Sequence, residues 1–383
     1  MKRAIQLVAF NIPYPPDYGG VIDIFYKIKA LSECGIAIYL HCFEYDRPHA
    51  IELESYCAKV FYYPRKKGIR YQFSFKPYIV VTRVNDQLLN NLSSNNAPIL
   101  FEGLHTCFYL DHTLLADHIR LVRTHNVEHE YYLNLSKAEQ NIFRKIYFKM
   151  EAWKLLGYES ILKKASHLLC ISPNDHSYFD QVQDNYSHLI PAFHPFSEIK
   201  SQEGRGKYIL FHGNLSVSEN IQAVEYLLAN VFSKITLPMI IAGKNPNVRL
   251  TDKINQYANI QLVSNPGKEQ METLIQDAQI SILPTFQNTG LKLKLLASLF
   301  SGRWCIANTP MIHKTGLEHL CHLADTPTEM IARIEELFQL DFTSEEIVKR
   351  KLILDNVFSN RRNALKIIQI IDDSRNPINV SSI

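Results

Sequence analysis

The chain has 383 residues, 46% of them hydrophobic and 21% charged, with a formal net charge of +3. That length is too great for one ordinary core and suits two domains of similar size, while the composition is that of a soluble globular protein and the small charge excludes nucleic acid as a partner. No apolar run reaches membrane-spanning length, and the seven scattered cysteines (Cys34, Cys42, Cys57, Cys107, Cys170, Cys305 and Cys321) lack the spacing of a disulfide framework or zinc module, which reads as a reduced, cytoplasmic protein.

Residues 4–10 form a continuous apolar run. A signal peptide is the competing interpretation, but the run is short and leads into Asn11 and a Pro-rich loop without a cleavage site, so a buried first strand is expected. The loop closes at Gly19-Gly20, and a helix over 21–34 follows, with Ile24, Phe25, Ile28 and Leu31 on one face and Gly35 at its end. Strands are expected at 36–42, 60–63, 99–102 and 121–124. One long helix is predicted over 136–164, then a strand at 167–171 and a helix starting at Pro173 with Ser172 as cap.

Residues 191–206 carry Pro191, Pro195, Gly204 and Gly206 with little periodicity and read as a domain boundary. Beyond it the alternation restarts, with strands at 208–212, 239–242, 260–263 and 280–283 and helices at 220–231 and 269–278. A further helix opens at Gly290, with Leu291, Leu295, Leu296 and Leu299 on one face. Gly302 ends it before a strand at 304–307. The predicted domains are 1–195, 196–357 and a C-terminal segment 358–383, whose helix over 360–372 returns to the first domain and whose tail after Arg375 is loose.

Two basic clusters stand out. One is Arg65-Lys66-Lys67 with Arg70. The other spans Arg144, Lys145, Lys149, Lys154, Lys163 and Lys164, with Phe143, Ile146, Tyr147, Met150 and Trp153 interleaved. One reading packs the aromatics in the core behind a solvated charged face, where Glu139, Glu151 and Glu159 dilute the charge. The other lays a basic amphipathic helix on an anionic membrane surface.

In parallel α/β sheets, polar residues just after a strand point into the ligand crevice. His125 holds such a position, followed by Asn126, Glu128, His129 and Glu130. The i, i+4 spacing of His125 and His129 raises zinc, but the His-Glu-x-x-His order is absent. A capped helix start is the structural alternative. Glu102 closes another strand, as an acceptor contact or a cap. Gly19 and Gly20 open the first helix. In the second half, Gly213 and Asn214 end a strand and Asn220 starts its helix; Gly243-Lys244 and Ser264-Asn265 end two more strands. Helix N-termini attract anions, because their first N–H groups are unpaired and the macrodipole is positive there. Gly290 with Lys292 and Lys294 therefore reads as a phosphate site, against a plain crossover with solvated lysines.

Several of these segments together resemble the retaining glycosyltransferases of the GT-B fold, family 4. They are Pro13-Tyr14-Pro15-Pro16-Asp17-Tyr18-Gly19-Gly20, Arg123-Thr124-His125-Asn126-Val127-Glu128-His129-Glu130, Ile171-Ser172-Pro173-Asn174-Asp175, Gly213-Asn214-Leu215-Ser216 and the stretch 280–308. The resemblance spans the whole chain. It implies an α/β GT-B architecture, two doubly wound Rossmann-like domains facing a central cleft. It also implies a metal-independent, hexosyltransferase-type enzyme that moves a sugar from a UDP- or GDP-sugar to a glycan or lipid-linked acceptor in surface polysaccharide or glycoconjugate assembly. No cofactor is implied.

By the same resemblance His125 contacts the transferred sugar. The donor is held by Gly19, Gly20, Gly213, Asn214, Asn220, Gly243, Lys244, Ser264, Asn265, Asn288, Thr289, Gly290, Leu291, Lys292 and Lys294. Tyr18, Glu102 and His129 lie on the acceptor side, and no residue binds a metal. Such enzymes are cytoplasmic and often peripheral at the inner face of the cell membrane. The chain departs from the family in two ways. Asn214 and Asn220 stand where relatives carry an Arg and a Lys. Thr289 and Ala297 replace two glutamates eight residues apart, of which the second grips the ribose. Those departures also suit a non-catalytic relative that serves as an assembly partner in a glycosylation complex.

Overall fold

The computed structural model describes residues 3–139, 141–183, 187–286 and 293–375. The chain forms two compact units, one running to Pro195 and resuming at Phe358, the other spanning Phe196–Val357.

In unit 1 the chain runs β1 (Ala4–Ala9), α1 (Gly19–Glu33), β2 (Ala37–Glu44), β3 (Lys59–Pro64), the short α2 (Tyr78–Val81) and α3 (Asp86–Leu92) and β4 (Ile99–Glu102). It continues with β5 (Arg120–Thr124), α4 (Glu128–Ala138), α5 (Ile142–Tyr158), β6 (His167–Cys170), α6 (Pro173–Gln183) and β7 (Ser187–Leu189). Unit 2 runs β8 (Tyr208–Asn214), α7 (Ser218–Asn230), β9 (Met239–Lys244), α8 (Val248–Ile254), β10 (Ile260–Ser264), α9 (Lys268–Asp277) and β11 (Ala278–Leu283). It ends with α10 (Leu293–Ser301), β12 (Trp304–Ala307), α11 (Thr309–Ile312), β13 (His322–Leu323), α12 (Pro327–Gln339) and α13 (Ser344–Val357), after which α14 (Asn360–Arg375) rejoins unit 1.

Both sheets are parallel, in the orders β3-β2-β1-β4-β5-β6-β7 and β10-β9-β8-β11-β12-β13. Helices cover both faces of such sheets, which is why β1 and β11 are apolar nearly throughout. In each unit the winding reverses once, between β1 and β4 and between β8 and β11. The crevice beyond the carboxyl ends of those strands is where doubly wound sheets hold ligands. Ala364, Ile367 and Ile368 of α14 share a core cluster with Ile24, Ile28 and Leu31 of α1.

The single long helix expected over 136–164 is two helices and a final 3-10 stretch, Glu159–Lys164. The physical cause is Asn141, whose side-chain oxygen accepts from the Phe143 and Arg144 N–H groups at 3.0 and 3.1 Å and so starts α5 afresh. The core-packed reading of the α5 aromatics is corrected too. Its inner face carries Glu151, Ala152 and Leu155, whereas Phe143, Ile146, Met150 and Trp153 face outward. All seven cysteines are free thiols, four of them buried. No described helix is long and apolar enough to cross a membrane. The predicted tail after Arg375 lies outside the described residues.

Unit 1 is cross-braced by buried charge. On α1, Asp23 and Lys27 lie one turn apart in the apolar stripe, and their side chains are almost wholly buried. Lys27 Nζ lies 2.8 Å from Asp23 and 2.9 Å from Glu102 at the end of β4. Arg123 on β5 donates to both Asp23 oxygens, at 3.2 and 2.8 Å, and to the Pro191 carbonyl at 3.1 Å. The Phe193 N–H donates to Asp23 at 2.8 Å. Burial alone raises the Asp23 carboxyl, but Arg123 and Lys27 outweigh it and hold it well below the ordinary carboxylate range. Asp23→Ala leaves two buried cations facing one carboxylate and is expected to cost about 3–5 kcal/mol. Urea unfolding measures this, and a loss under about 1 kcal/mol would mean that the cluster is solvated.

Candidate functional site

In unit 1 the carboxyl ends of β1, β4 and β5 bring Phe10, Glu102, Gly103 and His125 together. The β4–β5 register sets Glu102 beside Arg123, two residues before His125. His125 Nε2 lies 3.0 Å from Glu102 Oε2. A carboxylate paired with Lys27 only accepts, so Nε2 carries the proton and donates, leaving Nδ1 to act as an acceptor when the ring is neutral. Asp23, Glu102 and His125 place three potential metal-ligand atoms within 4.8 Å of one another. The two carboxylates are already matched by Lys27 and Arg123, so a divalent ion would have to displace the Lys27 ammonium. The arrangement suits an oriented imidazole better than a metal. Glu102 is fully buried, so the structure places it beneath His125 and not at an acceptor surface.

The Phe10 ring packs against His105 and, edge-on, against His125, with centroids 5.2 and 5.6 Å away. Gly20 makes room for it, since a Cβ there would lie 2.7 Å from Phe10 Cζ. Gly19 has open space at its Cα and is the first residue of α1, whose N-cap, Tyr18, makes no side-chain cap. The helix start is therefore accessible to an anion. Tyr18 is partly exposed; its hydroxyl accepts from Asn11 at 3.3 Å, and Arg47 stacks 5.1 Å from its ring centroid.

His129 diverges from its predicted place. It lies beside Glu159 (Nδ1 to Oε2 3.2 Å), and the Tyr178 hydroxyl donates to the same carboxylate at 2.6 Å. His129 and Glu159, both buried, and the half-buried Tyr178 brace α4 against α6, so His125 and His129 serve different carboxylates and form no common metal site. Glu128, at the start of α4, is buried near Asp175 of α6. Burial and then Asp175 push its carboxyl up to about 8, against a hydrogen bond from Asn126. Burial pushes Asp175 up to about 6.

In unit 2 the sheet register gathers three separate sequence motifs. Gly213 pairs with Gly243, Gly243 with Ser264, and Asn214 with Lys244, forming one polar rim. Gly243 is obligatory, because a Cβ there would meet the Gly213 carbonyl oxygen at 1.9 Å. Asn265 adopts φ +52, donates its N–H to the Gly243 carbonyl at 2.8 Å and accepts from the Asn245 N–H at 2.8 Å. Asn220, in the first turn of α7, donates to the Asn214 carbonyl at 2.9 Å and accepts from Lys294 Nζ at 2.8 Å. Lys294 thus ties the starts of α7 and α10 across the β8–β11 switch point, and its ammonium sits 5.3 Å from the Phe211 ring centroid. Burial, with Lys294 nearby, lowers His212 to about 3; it is neutral and bonds Ser298 at 2.9 Å.

Asn288, Thr289, Gly290, Leu291 and Lys292 lie outside the described residues. Ala297 is described and buried, clustered with Leu210, Ala242 and Ile275. Sequence reasoning missed several residues that hold these positions. Asp23 and Lys27 were visible as two charges inside an apolar stripe. Arg83, which donates to the Phe10 carbonyl at 2.9 Å, gave no signal. Nor did Asn308, whose amide brackets Thr285 through a 3.0 Å acceptance and a 2.7 Å donation and so fixes the loop after β11.

No family model matches the sequence. An uncharacterized 44.6 kDa protein in the cps region of Klebsiella pneumoniae is 28% identical over 382 residues, covering 93% of this chain and 94% of that protein. Solved structures align over nearly the whole chain at low identity. A glycosyltransferase from Rickettsia africae gives a TM-score of 0.65 at 10% identity, over 98% of this chain and 100% of that one. The N-terminal domain of Candida albicans trehalose-6-phosphate phosphatase gives 0.64 at 12%, over 98% and 97%. An E. coli trehalose-6-phosphate protein bound with UDP-2-fluoro glucose gives 0.59 at 10%, over 96% and 98%. The fold is GT-B: two Rossmann-like α/β units, each built on a parallel sheet.

Two outcomes follow from this geometry. Glu128 titrates at about 4.5 unfolded and about 8 folded, so its contribution to stability is full below the lower value and is lost as pH rises to the upper one. Glu128→Gln is expected to flatten that decline in thermal melts across the interval; an unchanged slope would place Glu128 in contact with water. Ala297→Glu puts a carboxylate into an apolar cluster and is expected to cost about 1–3 kcal/mol without tightening UDP binding. A more stable variant, or one that gains affinity, would show that this position faces the ligand.

Proposed function

We propose that this chain is a glycosyltransferase that moves a sugar from a nucleoside diphosphate donor to a glycan or lipid-linked acceptor. In this reading unit 2 holds the nucleotide diphosphate. Lys294 and the helix starts of α7 and α10 meet its charge, with Asn214, Asn220, Lys244, Ser264 and Asn265 around the nucleotide. Unit 1 supplies His125, held by Glu102, to the transferred sugar, and Gly19 offers an open helix start. The sugar's C1–O bond to the diphosphate breaks, the acceptor oxygen takes its place, and the acceptor's proton passes to the departing diphosphate. Negative charge grows on the diphosphate as it departs, and the Lys294 ammonium and the helix starts meet it, which lowers the barrier without a metal. Retention of configuration, hexosyl transfer and family 4 membership belong to the same reading, through the motifs quoted above.

The observation that carries it is Lys294 bridging two helix starts at the unit 2 switch point, within a fold whose solved examples include one bound with UDP-2-fluoro glucose. A place in surface polysaccharide assembly is supported by the name of the Klebsiella pneumoniae relative. A cytoplasmic location, peripheral to the membrane, accords with such acceptors. One observation favours a second reading, a non-catalytic GT-B protein serving as an assembly partner. Ala297 is packed among apolar residues where the family's ribose-gripping glutamate is expected.

Calorimetry with UDP and GDP separates the two. The enzyme reading expects one of them to bind. Lys294→Ala should then weaken affinity about tenfold to a hundredfold, the loss expected for a hydrogen bond to a charged group. His125→Ala should keep the melting temperature and lower sugar transfer by a similar factor. A folded wild type that binds neither nucleotide would leave the assembly-partner reading standing.

A further inference from the structure

Unit 1 holds a buried guanidinium that no carboxylate answers. Arg83 follows α2 and is 5% exposed. It donates from Nε to the Phe10 carbonyl at 2.9 Å and from Nη1 to the Ile79 carbonyl at 2.6 Å. Among the described residues its Nη2 has no hydrogen-bond partner, and that nitrogen is not sealed from solvent. A brace on the end of β1 accounts for the two carbonyl bonds. It does not account for the charge, which is costly in an interior unless an anion meets it. Lys27 and Arg123, also buried in unit 1, both have carboxylates. Among the described residues Arg83 has none.

A second arginine stands beside it. Arg65 follows β3, and its Nε donates at 3.1 Å to Oγ1 of Thr82, the residue before Arg83. Its guanidinium lies 4.2 Å from the Tyr45 ring centroid and 5.8 Å from that of Tyr78. Stacking of this kind fixes the guanidinium plane and leaves its edge to bind an oxyanion. Among the described residues its two terminal nitrogens make no hydrogen bond. The strand register places Phe10, Tyr45 and Arg65 just beyond the carboxyl ends of β1, β2 and β3, on the crevice that also receives His125 from β5. Burial, followed by Arg83, His125 and Arg65, keeps the His105 ring neutral, so both arginine charges reach the imidazoles there.

The neighbouring carboxyls do not quench this pair. Asp17 is taken by Arg47, and Asp46 accepts from Asn11 at 2.9 Å. Glu128 feels the Arg83 charge, yet burial and Asp175 push it up to about 8, so it is mainly protonated at neutral pH. Burial, then Arg65, pulls Arg83 itself down to about 9, as two cations held close without a counterion require. We propose that Arg83 and Arg65 form an anion subsite in unit 1 that takes a phosphate or carboxylate group carried by the sugar acceptor. A guanidinium fork pairs with either oxyanion through parallel N–H···O bonds. The subsite selects acceptors that bear an oxyanion near the reacting hydroxyl over neutral ones. That it serves an acceptor rests on the glycosyltransferase reading; that it binds an anion does not.

Calorimetry of the full chain at low salt, with no nucleotide present, tests it with glucose 6-phosphate, glucuronate and glucose. At least one of the two anions is expected to bind about tenfold or more tightly than glucose, and the tighter of them tells phosphate from carboxylate. Arg65→Gln, at the half-buried partner, should lose about tenfold to a hundredfold in affinity for that anion and leave glucose unchanged. Arg83→Lys keeps a charge without the fork and should lose affinity in the same direction. An unchanged near-ultraviolet circular dichroism spectrum verifies the fold, and Arg65→Gln decides the matter if Arg83→Lys unfolds. Anions that bind the wild type no more tightly than glucose would overturn the proposal, as would an Arg65→Gln variant that keeps the full preference. So would variants that keep the anion and lose UDP or GDP instead, which would give the arginines to the donor. A chain that binds neither nucleotide can still show the anion preference, so failure of the enzyme reading and failure of the subsite are told apart.

Discussion

The Lys27 ammonium sits in the interior of unit 1 between the carboxylates of Asp23 and Glu102, with the Arg123 guanidinium on the far side of Asp23. Two positive and two negative groups balance there. None can be removed without stranding a charge in a low-dielectric interior, so the geometry of the cluster is fixed. What it connects gives it its importance. Asp23 and Lys27 belong to α1, Glu102 ends β4, Arg123 ends β5, and Asp23 also receives the Phe193 N–H. The helix start at Gly19, the neighbouring strands β4 and β5 and the stretch before residue 195 are thereby held in one register. His125 is anchored to the same cluster through Glu102 and buttressed by Phe10, which fits because residue 20 has no side chain.

Unit 2 reaches a comparable end by other means. There the constraint is close packing of backbone. Gly243 approaches Gly213 so nearly that no side chain fits, and asparagines at 214, 220, 245 and 265 stitch the strand ends together. Beneath them Arg350 donates to the carbonyls of Leu299 and Gly302, at 3.2 and 2.6 Å, at the end of α10. A cation there complements the helix macrodipole and fastens the helix that carries Lys294. Unit 1 orients an imidazole with buried charge, and unit 2 presents a polar rim with two lysines, Lys244 and Lys294.

Much of this was legible in the residues. Parallel strands buried on both faces run apolar and stop abruptly, so β1, β4, β8, β9, β10 and β12 stood out, and the polar pairs after them marked the candidate positions. Their register was not visible; only the structure aligns Gly213, Gly243 and Ser264 in a row. Periodicity also hid two things. It reads a helical stripe but not which side the core lies on, so it leaves open whether the apolar face of α5 points inward or outward. It runs through a local competitor such as Asn141, whose side chain replaces one turn of backbone bonding and splits the predicted helix. Arg83, Arg123 and Asn308 escaped because their roles depend on carbonyls and carboxylates distant in sequence.

The proposed activity requires nucleotide binding at the carboxyl ends of the unit 2 strands. Amide hydrogen exchange with and without UDP or GDP reads this most directly, because it reports where a ligand protects backbone as well as whether it binds. Protection is expected to be confined to the ends of β8, β9 and β10 and the starts of α7 and α10, around Asn214, Asn220, Lys244, Asn265 and Lys294. Saturating nucleotide that protects none of these segments, or protects only amides of unit 1, would contradict it.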